Sequence, residues 1–276
     1  MWMPLLLIFF TSFVLSPGCA RSGEGKEEET SAVMKTEEQE QKHVPPADSI
    51  WWKRPRFSER REEREKMVRD ALANYPYHRI HDQRVLEAMR QVPRHKFVPP
   101  SLQAVAYQNY PLSIGYGQTI SQPFIVAHMT ELLEIKPGDK ILEIGTGSGY
   151  QAAVLSELTP YVYTIEIVEE LGKQAAQLLH RLGYETIRVK IGDGYEGWPE
   201  EAPFDGIIVT CAPDDIPPPL IEQIKPGGRI VIPMGNPWET QVLGLVEKDK
   251  KGNIKKTRQY EVRFVPMTGK AQRYLP

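Results

Sequence analysis

The stretch Glu143-Ile-Gly145-Thr-Gly147-Ser-Gly149-Tyr150 constrains this chain more than any other. Three glycines at alternate positions follow the short apolar run 140–144 and precede the helical pattern 150–158. Glycine turns without a Cβ clash and lets a ligand approach the backbone where a helix begins. Alternation then continues downstream. Strands are expected at 161–165, 186–191, 206–210, 229–233 and 242–247, with helices at 169–182 and 219–224 between them. Upstream, helical spacing covers 85–92, which stops at Pro93, and 124–135, which Pro123 opens and Pro137-Gly138 closes. Alternating β and α units at this spacing predict an α/β fold with a doubly wound, mostly parallel sheet.

In such sheets a ligand sits at the carboxyl ends of the strands. After the first strand come Gly145, Gly147 and Gly149. They read either as the G-x-G-x-G of S-adenosylmethionine sites or, through Gly147-x-Gly149-x-x-Ala152, as a dinucleotide fingerprint. After the second strand Glu166 stands 21 positions beyond Gly145, where a carboxylate accepts both hydroxyls of a ribose from either ligand. After the third, Asp193 lies between Gly192 and Gly194 and can reach an adenine amino group. Three such strand ends together describe an adenosine pocket. Glu143, at the end of the first strand, would repel a pyrophosphate and suits a sulfonium donor better.

Composition narrows the function further. The 276 residues carry 34 Lys+Arg and 36 Asp+Glu, a formal net charge of −2, so no general nucleic-acid binder is expected. Two cysteines, Cys19 and Cys211, exclude a disulfide framework and a Cys-rich metal centre. His78-x-x-His81-Asp82 is the nearest approach to a metal cluster, and no metal site is expected from it. Residues 1–20 hold the apolar run 5–15 and Leu15-Ser-Pro-Gly-Cys19, read as a secretory leader resembling a lipoprotein signal. An uncleaved anchor and a misplaced start are the alternatives. Residues 21–55 read as a disordered acidic tether, with four basic and seven acidic residues between Arg21 and Lys42. Between Lys53 and Arg69, eight Lys/Arg and four Glu suggest a solvated amphipathic helix with Glu–Arg pairs, a membrane or nucleic-acid patch being the alternative. The globular domain is expected over 56–276.

Several blocks together resemble the protein-L-isoaspartate O-methyltransferases. They are Gly117-Gln-Thr-Ile-Ser121-Gln-Pro123, Met129-Thr-Glu-Leu-Leu133, Leu142-Glu-Ile-Gly-Thr-Gly-Ser-Gly-Tyr-Gln151, Gly192-Asp-Gly194, Gly197-Trp-Pro, Ala202-Pro-Phe-Asp205 and Ile208-Val-Thr210. Arg84-Val-Leu-Glu-Ala-Met and Val92-Pro-Arg-His-Lys-Phe-Val-Pro99 fit the same pattern, so the resemblance spans about Glu65 to Pro266. It implies a Rossmann-like methyltransferase fold. It also implies methyl transfer from S-adenosyl-L-methionine, without a metal, to the side carboxylate of isoaspartyl residues in damaged proteins and peptides. Ser121 is the implied catalytic residue, Gln118 and Thr119 meet the substrate, and Glu143, Gly145, Gly147, Gly149, Glu166, Asp193 and Gly194 hold the donor. Cys211, where bacterial relatives usually carry Ala, is expected only to pack. The implied setting is cytoplasmic, while the leader argues for membrane attachment or export. An envelope relative that binds a nucleoside or peptide without the activity is the alternative function.

Overall fold

The computed structural model describes Trp52 and residues 54–76, 78–236 and 239–274. The expected leader and nearly all of the expected tether lie outside the described residues. Among the described residues nine strands form two sheets. A small antiparallel pair joins β1 (Leu112–Gly115) to β2 (Gln118–Ile120). The large sheet comprises β3 (Lys140–Ile144), β4 (Tyr161–Glu166), β5 (Arg188–Ile191), β6 (Phe204–Val209), β7 (Ile224–Met234), β8 (Gln241–Lys248) and β9 (Ile254–Val262). Its order is β5-β4-β3-β6-β7-β8-β9, parallel from β5 to β7 and antiparallel for the last two strands. The order reverses at β3, which pairs with β4 on one side and β6 on the other. The C-terminal end of β3 is therefore the topological switch point, where a doubly wound sheet opens a crevice.

Side chains alternate across a strand, and both faces of this sheet are covered. Ile141, Val162, Ile208 and Val231 pack on one face, against α2 (Gln83–Gln91), α3 (Pro123–Leu132) and α4 (Tyr150–Ser156). Leu142, Ile144, Ile165, Ile207, Val209 and Ile232 pack on the other, with Leu220 of α6 (Pro218–Gln223). The central parallel strands β3, β4 and β6 accordingly carry short, mostly apolar stretches, which made them visible in the sequence. α5 (Glu169–Arg181) carries Glu169 and Glu170 in its first turn and His180 and Arg181 in its last, as the helix dipole favours.

The basic stretch forms the expected amphipathic helix, with one face buried more deeply than charge suggests. Helix α1 spans Arg61–Met67 and runs into a π-helical turn over Val68–Ala73, with Arg60 paired to Glu63 and Arg61 to Glu65 on the exposed side. Arg64 is buried and donates to the carbonyls of Phe57 (2.6 Å) and Gln91 (2.8 Å). Met67, Val68 and Leu72 join the core. Charge count alone hid this, because a guanidinium that finds backbone acceptors can be buried. Ahead of α1, Trp52 Nε1 donates to Ser156 O (3.0 Å), Arg54 to Glu157 O (3.0 Å), and Arg56 to the Glu157 carboxylate (3.0 Å). This arm clasps the C-terminal end of α4. Among the described residues no helix is long and apolar enough to cross a membrane.

Candidate active site

Two adjoining cavities open at the carboxyl ends of β3, β4 and β6. The first runs from Gly145 and Gly147 past Glu166 to Gly194. The second holds Ser121, Gln122, Ile125 and Arg263. Thr119, Thr210 and Val265 line both, so the two spaces meet there.

The glycine loop is built for close approach. Gly145 has φ +98° and its N–H donates to Ile165 O (2.9 Å). A Cβ there would lie 2.4 Å from Thr210 Oγ1, which itself donates to Gly145 O at 2.7 Å. Gly147 N donates to Glu166 Oε2 (2.8 Å), and Val168 N donates to Glu166 Oε1 (3.0 Å). Glu166 is thus buried, aimed across the cleft, and fixed in direction. A carboxylate has about four acceptor sites, so two remain for a ligand's hydroxyl pair. Gly149, with φ +87°, starts α4 rather than lining the cleft.

Glu143 lies elsewhere than expected. It is fully buried, points to the sheet face that carries Thr164, and lines neither cavity. Neither carboxyl oxygen has a hydrogen-bond partner in the structure. Burial pushes its pKa up to about 8, helped by the nearby Glu166 charge and opposed by the Thr164 hydroxyl, so the group is mostly protonated at neutral pH. Asp193 is also absent from the cleft wall. Its Oδ1 caps the following turn by accepting from Tyr195 N (3.0 Å), and its Oδ2 accepts from Lys270 N (2.8 Å). Its neighbour Gly194 does face the cleft.

The β1–β2 hairpin delivers the substrate-side residues. Gly115, Tyr116 and Gly117 all have positive φ, a turn that two glycines make affordable for the exposed tyrosine between them. Gln174 of α5 donates to the Tyr116 hydroxyl (3.3 Å), and Ile114 lies against Gly147, so the hairpin covers the glycine loop. Gln118 and Thr119 thereby reach the first cavity, and Thr119 and Ser121 the second. Ser121 does not cap α3. The Phe124 amide in that first turn donates to Asn109 Oδ1 (3.0 Å), fifteen residues upstream.

Some wall residues were not foreseen. Val265, Pro266, Met267 and Thr268 close the first cavity from the C-terminal side. They are held by Ala212 N to Val265 O and Met267 N to Ala212 O, both 2.8 Å. Nothing local in their sequence marks them, because the pairing is long-range. Cys211 packs against the core and also lines the cavity. Burial raises its thiol pKa, with Glu166 and Asp193 adding to the effect, so it is no thiolate nucleophile.

The charge of the first cavity decides what it holds. Among the described residues Glu166 is the one charged residue on its wall, and no Lys or Arg lines it. A pyrophosphate would meet an unbalanced carboxylate there, whereas a sulfonium with a ribose meets a complementary one. A parallel sheet, a glycine loop at its switch point and a buried glutamate on the cavity wall are the features of an S-adenosylmethionine-dependent methyltransferase.

The comparisons agree and go further. The family described as Protein-L-isoaspartate(D-aspartate) O-methyltransferase matches residues 63–272, and the chain belongs to that family. A Nitrosospira multiformis protein named protein-L-isoaspartate O-methyltransferase 1 is 56% identical over 209 residues, covering 75% of this chain and 87% of its own length. A Syntrophobacter fumaroxidans protein named protein-L-isoaspartate O-methyltransferase 2 is 58% identical over 188 residues, covering 68% and 76%. A solved protein-L-isoaspartate O-methyltransferase superposes with TM-score 0.66 at 30% identity, over 75% of this chain and 66% of that one. A Plasmodium falciparum structure of a protein-L-isoaspartate O-methyltransferase in complex with S-adenosyl-L-homocysteine gives 0.63 at 26%, over 75% and 97%.

Proposed function

We propose that this chain is a repair methyltransferase. It moves a methyl group from S-adenosyl-L-methionine to the free side carboxylate of L-isoaspartyl residues in damaged proteins and peptides. The observation that carries the reading is the pair of adjoining cavities. One is suited to a cationic donor, and the other, which meets it at Thr119, Thr210 and Val265, is lined by Ser121 and Arg263.

The chemistry asks little of the side chains as acids or bases. The acceptor carboxylate is ionised near neutral pH, so no general base is required. In-line alignment of its oxygen with the sulfonium methyl supplies the rate. The two charges neutralise each other in the transition state, so a cleft roofed by the hairpin favours transfer. The C–O bond forms as the C–S bond breaks, and the electron pair stays on sulfur. Glu166 takes the ribose hydroxyls. Ser121, whose hydroxyl has no capping duty, donates a hydrogen bond that orients the carboxylate, and Gln118 and Thr119 flank it. The methyl ester then loses its alcohol to a succinimide, which reopens partly to a normal aspartyl link.

The test is a methylation assay on an isoaspartyl peptide and its aspartyl twin. Methyl transfer to the first alone is expected, and equal or absent transfer refutes the reading. The donor is made in the cytosol, and Arg21 and Lys26 follow the apolar run 5–15 while no basic residue precedes it. With that run as a membrane attachment, this charge bias supports a domain on the cytosolic side. Digestion of a C-terminal tag by protease added to spheroplasts would refute that placement.

A further inference from the structure

A cluster of nitrogen and oxygen donors lies away from both cavities, on the C-terminal half of α3. His128 is 2% exposed, yet neither Nδ1 nor Nε2 has a hydrogen-bond partner. Its ring is packed by Phe124, stacked at 5.7 Å, and by Tyr260 at 5.2 Å. Glu131 follows one turn later on the same face. Its Oε1 accepts from the amides of His81 (2.6 Å) and Asp82 (2.7 Å). The other oxygen, Oε2, stands 3.9 Å from His128 Nδ1, too far for a hydrogen bond. His78 completes the group, its ring centroid 4.4 Å from that of His128 and nearly perpendicular to it. One donor atom from each of His78, His128 and Glu131 lies within 4.8 Å of the others.

We propose that His78, His128 and Glu131 bind a divalent transition-metal ion, Zn²⁺ by the character of the donors, which fastens the segment before α2 to helix α3. Two imidazoles and one carboxylate suit Zn²⁺ or Co²⁺ and do not suit Ca²⁺ or Mg²⁺. Ligand bonds of about 2.0–2.1 Å in a tetrahedral site set donor atoms roughly 3.4 Å apart. Glu131 and His128 are already close to that spacing, and the exposed His78 ring is free to turn inward. The two amides on Glu131 Oε1 orient the carboxylate as outer-shell partners do in metal sites. An ion there also satisfies a buried imidazole nitrogen that the protein leaves unpaired. The role is structural, since methyl transfer uses no metal and the cleft is built from other residues. His78-x-x-His81-Asp82 thus contributes one ligand, with the other two arriving from α3, 50 residues on.

Co²⁺ titration of the tag-free, chelator-treated full chain tests the site. The expected result is a saturable visible d–d band at one equivalent, displaced by Zn²⁺, and a melting temperature raised by Zn²⁺. His78→Ala alters an exposed side chain, so it leaves the fold intact. It and Glu131→Gln weaken Zn²⁺ binding at least 10–100-fold, the loss typical even of outer-shell partners. His81→Ala keeps the band. No saturable band in the wild type, or equal affinity in His78→Ala, overturns the proposal. Neither readout depends on methyl transfer, so a failure here leaves the repair function standing.

Discussion

The two cavities differ in how completely the protein has fixed their polar groups. In the donor cavity Glu166 holds two backbone amides, Thr210 holds the Gly145 carbonyl, and the wall is strand ends and loop backbone. In the acceptor cavity Ser121 has no capping partner, and Glu261, at the end of β9, and Arg263, just after it, are exposed. The donor is one small molecule of constant shape, so a rigid, pre-formed site loses least on binding. The acceptor is a damaged residue in any sequence context, and an open site with few committed contacts admits many. Rigidity is spent on the constant partner.

That contrast can be broken most sharply at Gly145. Gly145→Ala places a Cβ against Thr210 Oγ1 on a backbone at φ +98°. Left-handed strain alone costs about 1–2 kcal/mol, and the clash adds to it. Donor affinity should fall about 100-fold or more by calorimetry, and normal affinity would show a pliable cleft.

Next comes Glu143, which lies beneath the donor site and not in it. Its pKa in the folded protein, about 8, is above the ordinary carboxylate value, so the folded state holds the proton more tightly than the unfolded. Stability is therefore full below about pH 4.5 and declines as pH rises to about 8, where the decline ends. At about 1.4 kcal/mol per pKa unit, the loss is on the order of 5 kcal/mol. Glu143→Gln should remove most of it, seen as melting curves that converge with wild type near pH 4.5 and separate toward pH 8.5. Parallel curves would mean that Glu143 has a partner.

Glu166→Ala is expected to weaken donor binding by ~1–3 kcal/mol, since a charged hydrogen-bonding group is lost. An unchanged dissociation constant removes it from the donor site. The smallest effects separate Ser121 from Asn109. Ser121→Ala should lower turnover about fivefold, a single orienting hydrogen bond of ~1 kcal/mol, at constant donor affinity and melting temperature. Asn109→Ala should instead lower stability by about 1 kcal/mol, the usual loss for a helix cap. Reversed phenotypes would return Ser121 to a purely structural role.

The strands β3, β4 and β6 and the cavity-lining Gly145, Gly147 and Glu166 could be read from sequence because each motif is local. A buried strand, a glycine turn and a helix start are contiguous, so residues 140–150 declared both fold and pocket. Strand β9 went unread because it is an edge strand. Its Lys255, Lys256, Arg258 and Glu261 protect the edge and erase the apolar pattern. The hairpin strands are only four and three residues long and lean on positive-φ glycines rather than on alternation. The wall at 265–268, the Asn109 cap and the pairing of His78 with His128 all depend on contacts across many residues, which no window of sequence contains. Glu143 and Asp193 were placed in the pocket by spacing. Spacing locates a strand end and does not say which face a side chain takes.

The arm of Trp52, Arg54 and Arg56 has a mechanical consequence. It grips α4 at Ser156 and Glu157, the end away from Gly149 and the glycine loop. The seven-residue helix between them puts roughly 10 Å between grip and cleft. A pull on the chain from its N-terminal side is therefore taken up as shear on these contacts and passed into the base of the sheet. The catalytic mouth carries none of the load, and a domain held this way can be moored from behind while its open face sweeps freely past bulky substrates.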